Sequence, residues 1–404
     1  MRIAIITDNF LPKLDGVTRI LDAMLKELQV AGHQVLVIGP DNGIKQFAEA
    51  EIIGTTGIPY PFYPELKFNF FRPLFVHRLK AFCPDIIHIV DPTILGGAGV
   101  IAARFLHKPL ISSYHTNLAQ YCSYFGFSLF AEPIWLYKRF IHNQSLLTFC
   151  PSPSTASKLI TRGFQNLRIW SGGVDITLFH PNRRNEAVRS SWLKNREHPD
   201  NKVVLLYVGR ISWEKNLRLL VQAFKEMNYQ HCHLVIVGDG PAYSDIQQQL
   251  SNLPVTFTGY LRDEALATTY ASADLFVFPS CTETFGLVIL EAMASGLPIL
   301  GIRSEGICEL VSDGYTGLLD VQWPNIDQQV ISYKEKLKWL INNPISRRVM
   351  GQNARTKSQE FLWPRVMNRL LHGYEEAIEL GESVSLKQKN TIELLENTGE
   401  VSGS

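Results

Sequence analysis

The chain has 404 residues and a formal net charge of +1 at pH 7. A single hydrophobic core stops growing at about 250–300 residues, so this length predicts two domains. The near-neutral charge, without a long basic run, argues against nucleic acid as the main partner.

The cysteines and the apolar segments do not suggest a secreted or membrane-spanning protein. The six cysteines form no CxxC pair, which is typical of reduced thiols in the cytoplasm. Asp8 interrupts the first apolar segment, so no signal peptide is predicted. No uncharged apolar stretch reaches the ~20 residues of a spanning helix. We expect a cytoplasmic protein that is attached to a membrane surface at most.

Short β-forming runs alternate with helix-length segments along the chain. We predict strands at 2–6, 34–38, 86–90, 110–113, 203–208, 234–237, 255–258, 275–278 and 298–301. Such alternation indicates βαβ units and parallel sheets. Because the pattern starts again after residue 181, it predicts two doubly wound domains. Ligands should bind in a cleft at the carboxyl ends of the strands.

Two segments of the first domain follow predicted strands. Gly16, in the loop after the first strand, can offer a backbone amide to phosphate, and Lys13 adds a positive charge. His115, in the sequence Ser-Tyr-His-Thr, follows the strand at 110–113 and should face the cleft, where an imidazole can orient a substrate. An ordinary glycine turn and a core histidine are the alternatives.

Two cations follow the first strand of the second domain. Arg210 comes directly after Gly209, and Lys215 lies in the next turn. They suit a diphosphate whose negative charge grows as an attached group departs. A solvated helix start with a Glu214–Lys215 pair is the alternative. Farther along, His231 and His233 have the spacing of metal ligands, but they begin a predicted strand, and we expect the edge of a core instead.

Residues 283–291, with the sequence ETFGLVILE, place two carboxylates eight positions apart across a loop that enters a helix. Gly286 lets the backbone approach a ligand closely, and the amides at the helix start can face an anion. A ligand that carries both phosphate and hydroxyl groups, such as a nucleotide sugar, would bind here. A helix start with a favourable early carboxylate is the alternative.

Together these motifs resemble the retaining glycosyltransferases of family 4, which have the GT-B fold: two Rossmann-like domains facing a cleft. The resemblance implies that Glu283 contacts the donor sugar and Glu291 holds the ribose hydroxyls. Arg210 and Lys215 would stabilise the leaving diphosphate, and His115 would belong to the active-site loop. The implied donor-binding set is Gly16, Arg210, Lys215, Glu283, Phe285, Gly286, Leu287 and Glu291.

The resemblance also implies a division of the chain. Residues 1–180 would form the acceptor-side domain, and residues 181–359 would bind the nucleotide sugar. A helix at 360–380 would pack back on the first domain, with a kink at Trp363-Pro364. The polar tail 381–404 is predicted to be disordered.

In such a retaining transfer the departing phosphate takes the acceptor proton on the same face of the sugar. The sequence has no DxD pair where a metal would be held in the other glycosyltransferase fold, so we expect neither a metal nor a cofactor. A non-catalytic module that binds nucleotide sugars is the alternative of another class.

Several stretches resemble the enzymes that transfer sulfoquinovose from its UDP donor to diacylglycerol, which would make the product a sulfolipid. The stretches are 63–67, 113–116, 142–144, 170–175 and 179–181. A donor of GDP-mannose, UDP-glucose or UDP-glucuronate, in glycolipid or polysaccharide synthesis, is the alternative. Candidate partners for the sulfonate are Lys13, Arg19 and Arg303. The sequence departs from the family at Glu305, where the family usually has glycine, and a carboxylate there would disturb the turn and repel a sulfonate.

A lipid acceptor implies contact with the cytoplasmic face of a membrane. Segments 68–80 and 121–139 interleave aromatic and basic residues, as expected for a membrane interface and a lipid groove. Helix faces that pack into a core are the alternative explanation.

Overall fold

The computed structural model describes residues 1–12, 15–60, 63–69, 72–124, 126–194, 202–227 and 231–399. The described strands form two large sheets, one from each half of the chain, and one small hairpin. The predicted domain boundary at 180/181 lies between the two large sheets. No helix in the described ranges is long and apolar enough to cross a bilayer.

The first sheet has eight strands, which are parallel except for one antiparallel edge pair. Its strands are β1 (Arg2–Thr7), β2 (Gln34–Pro40), β3 (Gln46–Phe47), β4 (Ala50–Thr55), β7 (Ile86–Val90), β8 (Leu110–Ser113), β9 (Leu147–Cys150) and β10 (Leu167–Ile169). The hairpin consists of β5 (Gly57–Tyr60) and β6 (Tyr63–Asn69). The order β10-β9-β8-β7-β1-β2-β4-β3 reverses direction between β1 and β7. This reversal creates the crevice where doubly wound sheets bind ligands.

Helices cover both faces of the first sheet. They are α1 (Gly16–Val30), α2 (Pro73–Phe82), α3 (Ile94–Phe105), α4 (Leu118–Tyr124), α5 (Ala131–His142) and α6 (Pro153–Thr161). Along β1, Ile3 and Ile5 join one core cluster while Ala4 and Ile6 join another, as the two-residue period of a strand requires. Asp15 starts α1 because its carboxylate accepts the backbone N–H of Thr18 at 2.9 Å.

The second sheet has six strands, all paired in parallel. They are β11 (Val203–Val208), β12 (Cys232–Val237), β13 (Val255–Gly259), β14 (Leu275–Phe278), β15 (Ile299–Ile302) and β16 (Gly317–Asp320). The order β13-β12-β11-β14-β15-β16 reverses between β11 and β14. The second crevice therefore lies where these two strands end.

The helices of the second half enclose the second sheet. They are α7 (Glu186–Leu193), α8 (Leu217–Lys225), α9 (Tyr243–Gln249), α10 (Asp263–Ser272), α11 (Leu287–Ala294), α12 (Glu305–Leu310), α13 (Ile326–Asn342) and α14 (Pro344–Ser358). Every strand residue of β11, β12, β14 and β15 is buried. This continuous burial explains the uninterrupted apolar runs in the sequence.

The last helix, α15 (Trp363–Gly399), returns to the first sheet. Its residues Val366, Leu370 and Tyr374 are buried in the same core cluster as Ile3 and Ile5. Pro364 lies in the first turn of α15, where its missing N–H costs nothing, so Trp363-Pro364 starts a new helix and does not kink a continuous one.

The prediction of disorder over 381–404 differs from the structure, in which α15 continues to Gly399. The segment 382–398 contains no proline or glycine and is rich in leucine, glutamate and lysine, which favour helix. Polar composition alone therefore predicted the wrong state. Residues 400–404 lie outside the described residues.

Candidate active site

Contacts between the two halves of the chain define a cleft at the carboxyl ends of both sheets. Thr284, in the loop after β14, donates its hydroxyl to the carbonyl oxygen of His115, which follows β8, at 2.7 Å. The guanidinium of Arg19 in α1 is paired with Glu291 in α11. These contacts bring the carboxyl ends of both sheets to face each other across the cleft.

Glu283 is held by two donors of its own domain. Its Oε1 lies 2.7 Å from Nζ of Lys215 and 3.1 Å from Oγ of Ser280. The side chains of Lys215 and Glu283 are 14 % and 19 % exposed. The pair is therefore neither sealed in the core nor free in solvent, and a ligand in the cleft can reach both charges.

Arg210 lies at the end of β11 beside a buried carboxylate. Its Nε is 3.9 Å from Oε1 of Glu214, and its side chain is 28 % exposed. The hydroxyl of Tyr207 donates to the carbonyl oxygen of Arg210 at 3.0 Å, which holds the turn after the strand. A further hydrogen bond ties Glu214 to Ser212. Arg210 and Lys215 thus lie five residues apart in the segment after β11, each paired with a glutamate.

The loop before α11 is shaped by Gly286, whose φ of 98° lies in the left-handed region that favours glycine. No side chain caps α11, so its first amides remain available to an anion. Phe285 is only 4 % exposed. A Cβ built on Gly172 would lie 2.5 Å from Leu287 and 2.9 Å from Phe285, so both side chains pack against the interdomain segment. Phe285 can therefore offer only its backbone to a donor, whereas Leu287 is half-buried.

Glu291 has both carboxylate oxygens engaged. Oε2 accepts the hydroxyl of Tyr270 at 3.0 Å, and Oε1 is paired with Arg19 of the first domain. The Glu291 side chain is 5 % exposed and that of Arg19 is 32 % exposed. The carboxylate predicted for the ribose is thus already bound by a cation from across the cleft.

His115 is buried at the first-domain side of the cleft. Its Nε2 lies 3.0 Å from Oγ of Ser113, and the edge of Trp170 packs against the ring at 5.5 Å between centroids. Burial lowers the pKa of His115 to about 4, although Asp91 acts in the opposite direction. The imidazole is therefore neutral at pH 7 and can exchange hydrogen bonds without carrying charge.

Asp91 and Lys138 are cleft-side residues that the sequence analysis missed. Asp91 follows β7 with φ of 48°, and its Oδ1 lies 2.9 Å from Nζ of Lys138. Burial raises the pKa of Asp91, but Lys138, His115 and the Thr116 amide together hold it below its ordinary value. The position directly after a buried strand, the rule that singled out His115, would also have identified Asp91.

The remaining candidates are Gly16, Arg303, His233 and Lys13. Gly16 begins α1, the helix that carries Arg19, and a Cβ built on it would meet nothing within 4 Å. Arg303 is paired with Asp313 at 2.8 Å and is 49 % exposed. His233 bonds Thr256 at 2.8 Å and is buried, which agrees with a core edge. Lys13 lies outside the described residues.

Glu305 does not disturb a turn. It is the first residue of α12 and is absent from the residues with positive φ. Its carboxylate lies 3.0 Å from Nζ of Lys158 in α6. The glycine that the packing requires is the next residue, Gly306, whose Cβ would lie 2.6 Å from the Phe285 amide nitrogen. The expectation that Glu305 disturbs a turn was therefore wrong.

Two family models match the chain. Residues 14–178 match the model described as Glycosyltransferase Family 4, and residues 188–357 match the one described as Glycosyl transferases group 1. A solved structure of HepE from Anabaena in complex with UDP and glucose superimposes with a TM-score of 0.75, at 19 % identity, over 93 % of this chain and 100 % of that one. At this identity the likeness shows the fold alone.

Curated relatives span most of the chain. A GDP-mannose-dependent alpha-mannosyltransferase of Corynebacterium glutamicum is 34 % identical over 96 % of this chain and 91 % of its own length. Sulfoquinovosyl transferase SQD2 of Arabidopsis thaliana is 33 % identical over 84 % of this chain and 66 % of its own length. An alpha-monoglucosyldiacylglycerol synthase of Streptococcus pneumoniae is 29 % identical over 79 % of this chain and 75 % of its own length.

The two facing doubly wound sheets, the matching family models and the full-length relatives lead to one conclusion. The chain is a glycosyltransferase of family 4 with the GT-B fold.

Proposed function

We propose that the protein transfers a hexosyl group, with retention of configuration, from a nucleoside-diphosphate donor to a lipid hydroxyl. The observation that carries the proposal is the Lys215–Glu283 pair in the cleft, with Arg210 in the same segment after β11. Cations at this place stabilise a diphosphate most strongly when it departs. The open start of α11 adds backbone amides for the same anion.

In the proposed reaction the acceptor oxygen attacks the anomeric carbon on the face from which the diphosphate leaves. The bond between that carbon and the phosphate oxygen breaks, and its electron pair goes to the diphosphate. A phosphate oxygen of the leaving group takes the acceptor proton. Arg210 and Lys215 supply the positive charge for this step, which is why we propose that no divalent metal is needed.

Glu283 would contact the donor sugar, and Glu291 would bind the ribose hydroxyls. Glu291 supports this role because its carboxylate is oriented by Tyr270 and lies next to the first domain. His115 would offer a neutral hydrogen bond to the sugar or the acceptor.

For the donor we propose UDP-sulfoquinovose, with GDP-mannose as the second candidate. The resemblance to sulfoquinovosyltransferases and the relative SQD2 support the first. The mannosyltransferase of C. glutamicum, which matches a larger share of both chains, favours the second. Because Glu305 is paired with Lys158, its charge is compensated and does not argue against a sulfonate.

For the acceptor we propose diacylglycerol at a membrane surface. The relative named for monoglucosyldiacylglycerol supports this choice. On the first domain, two adjacent helices expose apolar side chains at four-residue spacing. They are Ile101 and Phe105 on α3, 69 % and 67 % exposed, and Leu136 and Phe140 on α5, 54 % and 61 % exposed. Exposed apolar groups of this kind are typical of an interfacial surface.

The proposed surface differs from the segment 68–80 that the sequence suggested. Phe75 and Leu79 of α2 have no exposed surface and belong to the core, while Phe70 and Phe71 lie outside the described residues. Replacing Phe75 would therefore damage the fold. In segment 121–139, Trp135 is likewise buried, whereas Phe130 is 59 % exposed.

The test offers the purified protein UDP-sulfoquinovose, UDP-glucose, UDP-glucuronate and GDP-mannose, each with diacylglycerol vesicles and with a soluble sugar. We expect a glycolipid and nucleoside diphosphate only with diacylglycerol, fastest from the sulfonated donor. Faster turnover of GDP-mannose would assign the second candidate. Transfer to soluble sugars alone would rule out the lipid acceptor, and donor binding without any transfer would indicate a non-catalytic module.

The membrane surface has its own test with vesicles of diacylglycerol and anionic phospholipid. The double variant Phe105→Ser and Phe140→Ser should sediment less with vesicles than the unchanged protein, at an unchanged melting temperature. A matched control replaces Ile345, which is 80 % exposed on the second domain, by serine. Equal sedimentation of all three proteins would show that α3 and α5 do not face the lipid.

A further inference from the structure

His115 is one end of a buried chain of polar side chains that reaches the last helix. The Tyr374 hydroxyl lies 2.8 Å from Nδ1 of His88, and Nε2 of His88 lies 2.9 Å from Oγ of Ser113. The same Oγ lies 3.0 Å from Nε2 of His115. Tyr374, His88 and Ser113 have no exposed surface. The chain thus runs from α15 through β7 and β8 into the cleft.

The protons along this chain are coupled. Burial lowers the pKa of His88 to about 3 and that of His115 to about 4, so both rings are neutral and each carries one N–H. Ser113 has one hydroxyl proton between two ring nitrogens. Among the described residues its hydroxyl contacts these two nitrogens, so two ring donors would leave the buried Ser113 O–H without an acceptor, which is costly. Ser113 therefore donates to one ring and accepts from the other. The tautomer of His88 therefore sets the tautomer of His115.

Tyr374 determines which group donates in each hydrogen bond from Tyr374 to His115. Among the described residues, the hydrogen-bond partner of its hydroxyl is Nδ1 of His88. If Nδ1 carried the ring hydrogen, the buried Tyr374 O–H would have no acceptor, which is costly. Tyr374 therefore donates to Nδ1 of His88, His88 donates from Nε2 to Ser113, and Ser113 donates to Nε2 of His115.

We propose that Tyr374, His88 and Ser113 are positioning residues that hold His115 as the tautomer with its hydrogen on Nδ1. The Nδ1–H has no partner among the described residues and becomes a fixed donor for a substrate oxygen in the cleft. Trp170 packs edge-on against the ring and limits its rotation. The role toward a substrate rests on the proposed glycosyl transfer, whereas the tautomer does not.

The arrangement also gives α15 a role beyond packing. In the sequence this helix follows the second domain, but it packs on the first sheet. Its Tyr374 hydroxyl contacts the buried series of hydrogen bonds at His88. The active-site histidine is therefore oriented by a residue 259 positions later in the sequence.

The first experiment measures tautomers by NMR of protein labelled with ¹⁵N-histidine, with the His115 signals identified by their loss in His115→Gln. We expect a protonated Nδ1 and an unprotonated Nε2 for His115. In Tyr374→Phe, which keeps the ring and removes the hydroxyl, the two nitrogen shifts should approach each other as the tautomers mix. Unchanged shifts in that variant, or a protonated Nε2 in the unchanged protein, would overturn the proposal.

The second experiment measures transfer kinetics. Tyr374→Phe and Ser113→Ala should each lower kcat by about two- to tenfold, the size of one lost neutral hydrogen bond, with little change in KM for the donor. Because both act through one chain, the double variant should be no slower than the slower single variant. Effects that multiply would overturn the proposal, because they would show independent roles.

A matched control is Tyr333→Phe, which also removes a fully buried hydroxyl, 3.4 Å from the Leu300 carbonyl oxygen in the second domain. Its melting temperature reports the cost of losing a buried hydroxyl, and its kcat should not change. An equal loss of kcat in this control would show that the effect comes from lost stability and would contradict the proposed positioning role of Tyr374. If the unchanged protein transfers no sugar, the proposed function fails, while the tautomer measurement still decides the proposal.

Discussion

The two sides of the cleft hold their charges in opposite ways. On the second-domain side, Lys215 and Glu283 form a pair that is 14 % and 19 % exposed. On the first-domain side, Lys138 and Asp91 form a pair that is 3 % and 4 % exposed, and the neighbouring His115 is neutral. A ligand can exchange places with a partner in the first pair but not in the second. Charge for the reaction should therefore come from the second domain, and neutral hydrogen bonds from the first.

The largest effect is expected at the buried pair of Lys138 and Asp91. Lys138→Ala should lower the free energy of unfolding by about 3–5 kcal/mol, because it leaves Asp91 buried without its countercharge. Lys158→Ala breaks a pair with Glu305 whose side chains are 32 % and 39 % exposed, and should cost at most about 1 kcal/mol. Urea denaturation of both variants measures the difference. Equal losses would contradict the contrast between sealed and open charges.

The partly exposed charges of Lys215 and Arg210 should affect turnover and not folding. Lys215→Ala and Arg210→Ala should each lower kcat by roughly 10²–10³, the size of a lost electrostatic stabiliser, with smaller effects on donor affinity. Lys338→Ala, on the surface beside Glu335, serves as the control. Nucleoside diphosphate release is followed with and without excess EDTA. Strict dependence on a divalent cation would contradict the metal-free mechanism.

The neutral histidines predict how stability depends on pH. Burial lowers the pKa of His88 to about 3, of His115 to about 4 and of His142 to about 3. Below about 6.5 the unfolded chain binds protons at these rings while the folded chain does not, so stability falls with falling pH. The loss should approach about 1.4 kcal/mol per pH unit for each ring.

Denaturation in urea at pH 7.5, 6.5, 5.5 and 4.5 measures this dependence. His372→Gln is the control, because that side chain is 84 % exposed and should leave the slope unchanged. Stability that stays constant between pH 6.5 and 4.5 would show that the buried rings take up protons in the folded state.

The sequence was most informative where the pattern that predicts an element lies within one strand or one loop. The predicted strands at 86–90, 110–113, 203–208 and 275–278 agree with the observed bounds, since their apolar runs are buried on both faces. The strands β3, β4, β5, β6, β9, β10 and β16 were missed. In β4 and β16, glycine or acidic residues interrupt the apolar pattern.

At the site, residue types could be predicted but partners could not. The prediction singled out Glu283 and Lys215, which lie 68 positions apart and form a pair. It assigned Arg19 to a sulfonate, whereas the structure pairs Arg19 with Glu291, 272 positions away. Pairs across two domains depend on how the domains dock. No local pattern contains that information.

The smallest effect is expected at this interdomain pair. Arg19 must leave Glu291, or share its Oε1, when ribose hydroxyls bind there. A pair with one side chain 32 % exposed stabilises the unliganded cleft by about 1 kcal/mol. Arg19→Gln should therefore tighten donor binding by about fivefold.

Calorimetric titration with UDP and GDP measures this change in affinity. High salt should bring the affinity of the unchanged protein toward that of the variant, because it screens the pair. Arg183→Gln, which breaks a pair with Glu264 within the second half of the chain, should have no effect. Weaker binding in Arg19→Gln would instead show that Arg19 contacts the donor itself.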